Sequence, residues 1–198
     1  MHEIPISFER LSEIPASELL GNIGVYVLWD SNATKCPSYI GEGHILQRLL
    51  DHRGKFAMPI DGYVAITGDS KRRYHKANAQ VVELLLLAIS ERIGMPPKQN
   101  KKSGSLTSLI KRFGRSKKPR KNSGIMDFFI CADRVSSHRK LKVHLKKGFD
   151  PFDHPAEANR QKTTWTIEVS RREERFFLSH HPWKNRETAE WRKSSYAL

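Results

Sequence analysis

The sequence predicts an α+β protein: a small domain with a three-stranded antiparallel sheet flanked by helices, then a basic C-terminal extension with a few β-strands. Three observations predict it. Two runs rich in β-branched and aromatic residues, IGVYVLWD and SYIGEG, are separated by the turn chemistry of Asp30, Ser31 and Asn32. A third such run, DGYVAITGD, lies between two stretches of helical pattern. The surplus positive charge of the chain falls in one later segment, which marks a change of character.

Taken in order, the chain opens amphipathically from Phe8 to Leu20, and IGVYVLWD follows as a buried strand. SYIGEG is a short strand ending in two glycines. HILQRLLDHRG then carries Ile45, Leu46, Leu49 and Leu50 at helical spacing. DGYVAITGD supplies the third strand, bounded by Gly62 and Gly68. From Ser70 to Ile93 a long helix is nearly all apolar between Leu84 and Ile89, so it is expected to be buried against a sheet. Gly94, Pro96 and Pro97 end it, because proline cannot continue a helical ladder.

Beyond Asn100 the composition turns to Ser, Gly and Lys, which predicts a boundary. The expected organisation is a catalytic-type domain over 1–101, a basic linker or nucleic-acid-contacting segment over 102–124, and a β-containing extension over 125–198. In the last, IMDFFICA is a strand candidate, and TTWTIEVSRREERFFLSH reads as a hairpin of two alternating runs around a charged turn.

Cys36 and Cys131 lie far apart with no CxxC pair, which argues against a disulfide framework or a structural zinc site. The apolar run Leu84 to Ile89 is far below the ~20 residues of a membrane span, and MHEIPISFERL has no basic-then-apolar signal. The expected home is intracellular, cytoplasmic or nucleoid-associated, with no membrane partner.

The 35 basic residues exceed the 21 acidic ones by 14. Residues 98–147 hold 16 Lys or Arg against Asp127 and Asp133, a surplus of 14, so the remaining 19 bases and 19 acids cancel. A segment that carries the whole excess reads as a surface for a polyanion, with a disordered, merely solubilising basic linker as the other reading. Its candidate contacts are Lys101, Lys102, Lys111, Arg112, Arg115, Lys117, Lys118, Arg120 and Lys121.

One constellation carries chemistry. Tyr26 and Tyr39 each sit on a strand beside glycine, in GVY and YIG, and adjacent antiparallel strands bring their hydroxyls together. Arg48 and His52 fall at i and i+4 on the next helix and so share a face. Glu83 is the only acid between Ser70 and Ser90, and a carboxylate in an apolar helix needs a partner such as a divalent metal. Singly, each of these residues has an ordinary structural reading: strand tyrosines are commonly core aromatics, and helix Arg or His is commonly solvated. The joint pattern is what counts.

These residues resemble the GIY-YIG nucleases. GVY stands where the family has its first signature, and YIG at 39–41 matches the second unchanged. Arg48 and His52 on the first helix, Glu83 in a Leu-rich helix and Asn100 in PPKQN continue the family order over about residues 22 to 101. Two features depart from it: Arg48 follows the YIG glycine one residue sooner than is usual, and Glu42 stands where many members carry Lys.

The resemblance implies a GIY-YIG-like fold and a metal-dependent endonuclease that hydrolyses phosphodiester bonds in DNA. It implies Tyr26 as general base, with a pKa brought down from ~10 by nearby cations, and Tyr39 and His52 positioning or relaying the proton. Arg48 would hold the scissile phosphate, Glu83 one Mg²⁺ or Mn²⁺ per active site, and Asn100 would brace the loop or the phosphate. A non-catalytic nucleic-acid-binding module on the same fold, or a nuclease preferring single-stranded DNA or RNA, is the alternative. A homodimer on a palindromic site is an arrangement the sequence leaves open.

Overall fold

The computed structural model describes residues 2–33, 35–58, 60–100, 140–145, 148–158, 166–172, 175–181 and 194–197. Along them run β1 (His2–Ile6), β2 (Glu9–Arg10), α1 (Ala16–Leu19), β3 (Asn22–Asp30), β4 (Tyr39–His44), α2 (Ile45–His52), β5 (Ile60–Asp69) and α3 (Arg73–Arg92). They continue with β6 (Lys140–Leu145), β7 (Thr166–Arg172), β8 (Arg175–His181) and β9 (Ser194–Ala197). The strands form a four-stranded sheet, β2-β5-β3-β4, and a five-stranded sheet, β1-β6-β7-β8-β9.

The fold is mixed α+β, and the three predicted strands form the body of the four-stranded sheet. All its pairings are antiparallel. β3 lies between β4 and β5 and is apolar without alternation because both of its faces are covered. Ile23, Val25, Val27 and Trp29 enter the core that contains Val81 to Ile89 of α3, whereas Tyr26 and Leu28 enter a second cluster with Ile45 of α2. The sheet is therefore held between the two helices. The expected count of three strands is corrected to four: β2 adds Glu9 and Arg10 opposite Val64 and Tyr63. Two residues are too short to register as a period, and Arg10 is fixed instead by its ion pair with Asp61 at 2.8 Å.

Every residue from Val81 to Ser90 is buried. A helix apolar all round needs partners on more than one side, and α3 has them: β3, β4 and β5 on one, and Ile4, Ile6, Phe8, Val143, Phe149 and Phe152 in the same core. The N-terminal strand β1 belongs to the second sheet, pairing in parallel with β6 so that Ile4 lies opposite Val143. Pro5 suits this place at the sheet edge, since it has no N–H to donate. The predicted hairpin is present as β7 and β8, with Arg172 opposite Arg175. The strand candidate IMDFFICA and the linker over 102–124 lie outside the described residues. No helix of the described residues is long and apolar enough to cross a membrane.

Residues 148–158 fasten the second half of the chain to the first sheet. Phe149 N–H donates to the Phe8 carbonyl at 2.9 Å, Trp29 Nε1–H to the Pro151 carbonyl at 3.3 Å, and the Tyr63 hydroxyl to the Asp153 carbonyl at 2.8 Å. Asp150 sits in this clasp and accepts the Phe152 N–H at 3.0 Å. Burial, with Asp153 adding to it, pushes its carboxyl up to about 7 despite that hydrogen bond.

A carboxyl whose folded pKa exceeds its unfolded value stabilises the fold when protonated. That contribution is complete below about pH 4 and is lost as the pH rises through 7. Asp150→Asn keeps the acceptor and removes the charge. It is expected to raise stability at pH 8 by on the order of 1–2 kcal/mol and to flatten the pH dependence between 4 and 7, read by urea unfolding.

Candidate active site

β3 and β4 set the register of the two tyrosines: Tyr26 lies opposite Gly41, and Leu28 opposite Tyr39. Both phenol rings fall on the α2 side of the sheet. Gly41 makes their approach achievable, since a Cβ there would stand 2.5 Å from Tyr26 Oη and 2.6 Å from Tyr39 Cε1. With only hydrogen at that position the rings stack at 6.1 Å between centroids and 22° between planes.

α2 delivers His52 to the same pair. The imidazole is buried, its Nε2 is 3.1 Å from Tyr26 Oη, and its ring centroid is 4.7 Å from that of Tyr39. Phe56 closes the far side at 5.3 Å. Desolvation lowers the His52 pKa, and the cations Lys55 and Arg48 lower it further against the opposing pull of Asp51. Neutral imidazole is thus favoured at pH 7.

Tyr26 moves the other way. Burial raises its pKa most, Tyr39, Glu83 and Glu42 raise it further, and Arg48 alone opposes them. The expectation that nearby cations bring this phenol down is corrected for the protein's own groups, because one guanidinium does not offset desolvation and two carboxylates. The proton therefore rests on Tyr26, whose hydroxyl shares a hydrogen bond with His52 Nε2 in a direction set by the imidazole tautomer. Nδ1 is buried and has no hydrogen-bond partner. Phenol and imidazole form a dyad through which a proton can pass.

Arg48 lies one turn before His52 and is exposed toward solvent. Its chain crosses Gly43, where a Cβ would stand 3.3 Å from Arg48 Nε. Gly43 has φ +131°, a conformation that side-chain-bearing residues rarely adopt. The last glycine of YIGEG thus bends the strand and leaves room for the arginine.

Glu83 is 7% exposed on α3. Its charge raises the pKa of both Tyr26 and Tyr39, while the charge of Arg48 lowers both. Tyr26, Tyr39 and His52 are in contact, and the charges of Arg48 and Glu83 reach both phenols. The structure adds one acid that had no role in the sequence reading: Glu42, whose Oε2 is buried without a hydrogen-bond partner and whose charge also reaches both phenols. The signal for it was the acid directly after YIG.

Among the described residues no group of three or more His, Cys, Asp or Glu is placed to hold a metal. A hard cation such as Mg²⁺ does not require one, because it is commonly held by one or two carboxylates, with water and substrate oxygens completing the shell. A buried carboxylate on α3 and an unpartnered buried carboxylate oxygen on β4 fit that chemistry.

Asn100 does a different job from the others. Its Oδ1 accepts the Ile40 N–H at 2.9 Å and its Nδ2 donates to the Ile40 carbonyl at 2.7 Å. Gln99 N–H donates to Ser38 O at 2.9 Å just before it. The side-chain amide so acts as a strand mimic along the free edge of β4, between Tyr39 and Gly41. Asn100 is a positioning residue, committed to the backbone that carries YIG. Asn100→Ala leaves both Ile40 groups unpaired and is expected to cost about 1–2 kcal/mol in chemical unfolding.

The nine basic candidates from Lys101 to Lys121 lie outside the described residues. No family model, no curated protein and no solved structure matches the chain.

Proposed function

We propose that this chain is a metal-dependent endonuclease that hydrolyses phosphodiester bonds in DNA. The observation that supports it is a phenol–imidazole dyad stacked on a second phenol, with a guanidinium and a buried carboxylate within electrostatic reach of both phenols. The likeness of GVY, YIG, Arg48, His52 and Glu83 to the GIY-YIG nucleases points the same way.

Cutting a phosphodiester needs a water stripped of a proton, neutralisation of charge growing on the phosphate oxygens, and help for the departing alkoxide. In the tautomer that leaves His52 Nε2 bare, the Tyr26 hydroxyl proton passes to Nε2 as the phenol oxygen takes a proton from the attacking water, so the phenol is neutral again and the imidazole carries the proton. Tyr39, stacked on Tyr26 and against His52, holds that geometry and shields it from bulk solvent. Arg48 presents a permanently charged fork that suits two phosphate oxygens at once. Glu83 would hold the divalent cation, which when bound supplies Lewis-acid neutralisation and lowers the pKa of nearby phenol and water. The basic surplus over 98–147 supplies attraction for the DNA backbone.

The test is conversion of supercoiled plasmid to open circles by the purified full chain, in Mg²⁺, in Mn²⁺ and in EDTA. Nicking that depends on the cation is expected. Plasmid binding with no nicking in either metal would leave a binding module, and undiminished nicking in EDTA would exclude a metal-dependent reaction.

A further inference from the structure

Glu42 occupies the β4 position opposite Val25. Side chains alternate along a strand, so Glu42 shares its face with Ile40, which packs in the core formed with α3, and not with Tyr39. Glu83 comes from α3. The two carboxylates thus approach the edge of the sheet from the same side, one from the strand and one from the helix.

The setting of Glu42 is costly as it stands. One of its carboxylate oxygens is buried and receives no hydrogen bond, and burying a charged oxygen without a donor is strongly unfavourable. Oε2 takes no hydrogen bond from Arg48 on the neighbouring helix or from any other group among the described residues. Two carboxylates on one face of the sheet, one with an oxygen buried and without a hydrogen bond, carry the charge that one divalent ion neutralises. We propose that Glu42 is a second protein ligand of the divalent cation and shares it with Glu83, an inference that rests on the nuclease reading above. The pair leaves the remaining positions of the ion to water and to a phosphate oxygen.

Mn²⁺ binding to the full chain, without DNA, measures this directly through the electron paramagnetic resonance signal of the free ion. Glu42→Gln keeps the shape of the side chain and removes its charge. It is expected to weaken Mn²⁺ binding by at least the roughly 10- to 100-fold that follows loss of a supporting group at a metal site, and Glu83→Gln is expected to weaken it as well. In EDTA, Glu42→Gln should melt no lower than the wild type, because the substitution removes an unpaired buried charge. Added Mn²⁺ should raise the melting temperature of the wild type more than that of the variant.

Wild-type Mn²⁺ affinity in Glu42→Gln would overturn the proposal, and so would no Mn²⁺ binding by the wild type. A lower melting temperature of Glu42→Gln in EDTA would overturn it too, by marking Glu42 as a structural acid. The nuclease reading is judged separately by wild-type nicking: nicking with unchanged Mn²⁺ affinity in Glu42→Gln sinks this inference alone. Shared Mn²⁺ binding without nicking sinks the nuclease reading while the two-carboxylate site stands.

Discussion

Glu83→Gln is expected to lower cation-dependent plasmid nicking by at least roughly 10³-fold while the protein stays folded and still binds plasmid. The substitution keeps the volume of a side chain that is 7% exposed in the buried, apolar helix α3. It removes the charge that would anchor the ion, and with it the neutralisation of the phosphate in the transition state. DNA binding survives because the basic surplus lies over 98–147, in a different part of the sequence. Initial rates at saturating Mg²⁺ check the loss of turnover, and a gel-shift assay checks binding. Retention of more than about a tenth of the rate would mean that Glu83 is no more than a core carboxylate.

Arg48→Ala carries the second large effect, a loss of roughly 10²- to 10³-fold in kcat with little change in stability. Arg48 is exposed, so its truncation opens no cavity. What is lost is a fixed positive charge next to two phenols and a carboxylate. Arg48→Lys is expected to recover only part of the rate, because an ammonium presents a point charge where the guanidinium presents a planar fork. Single-turnover cleavage separates this loss from DNA affinity. A variant that raises KM and leaves kcat intact would move Arg48 from the chemistry to the DNA-binding surface.

How much of this was legible in the sequence depended on local pattern. β3, β4, α2, β5 and α3 were readable in order because each is a run of apolar residues with its own period, ended by glycine, proline or turn residues. The approach of Tyr26, Tyr39 and His52 followed from that order, since antiparallel neighbours and the helix directly after them leave few other arrangements. β2 was not readable, because two residues held by an ion pair have no period. β1 was hidden by Pro5 and by a partner more than a hundred residues away in β6.

The site resisted where charge balance decides. Whether Tyr26 titrates up or down depends on burial weighed against Arg48, Glu83 and Glu42 together, and no spacing rule contains that sum. Asn100 was read as bracing either the loop or the phosphate, and the sequence left the choice open; its amide is spent on both polar groups of Ile40. Glu42 was visible as an acid after YIG but not as an unpartnered one, since satisfaction is a property of the folded surroundings.

Diffraction at the manganese absorption edge, from crystals of the full chain grown with Mn²⁺, reports on the ion itself. An anomalous peak at bonding distance from the Glu83 carboxylate, beside the Tyr26–Tyr39 pair and within reach of Arg48, is the expected result. A peak elsewhere on the chain, with Glu83 bare at saturating Mn²⁺, would contradict the proposal that these side chains surround one catalytic cation.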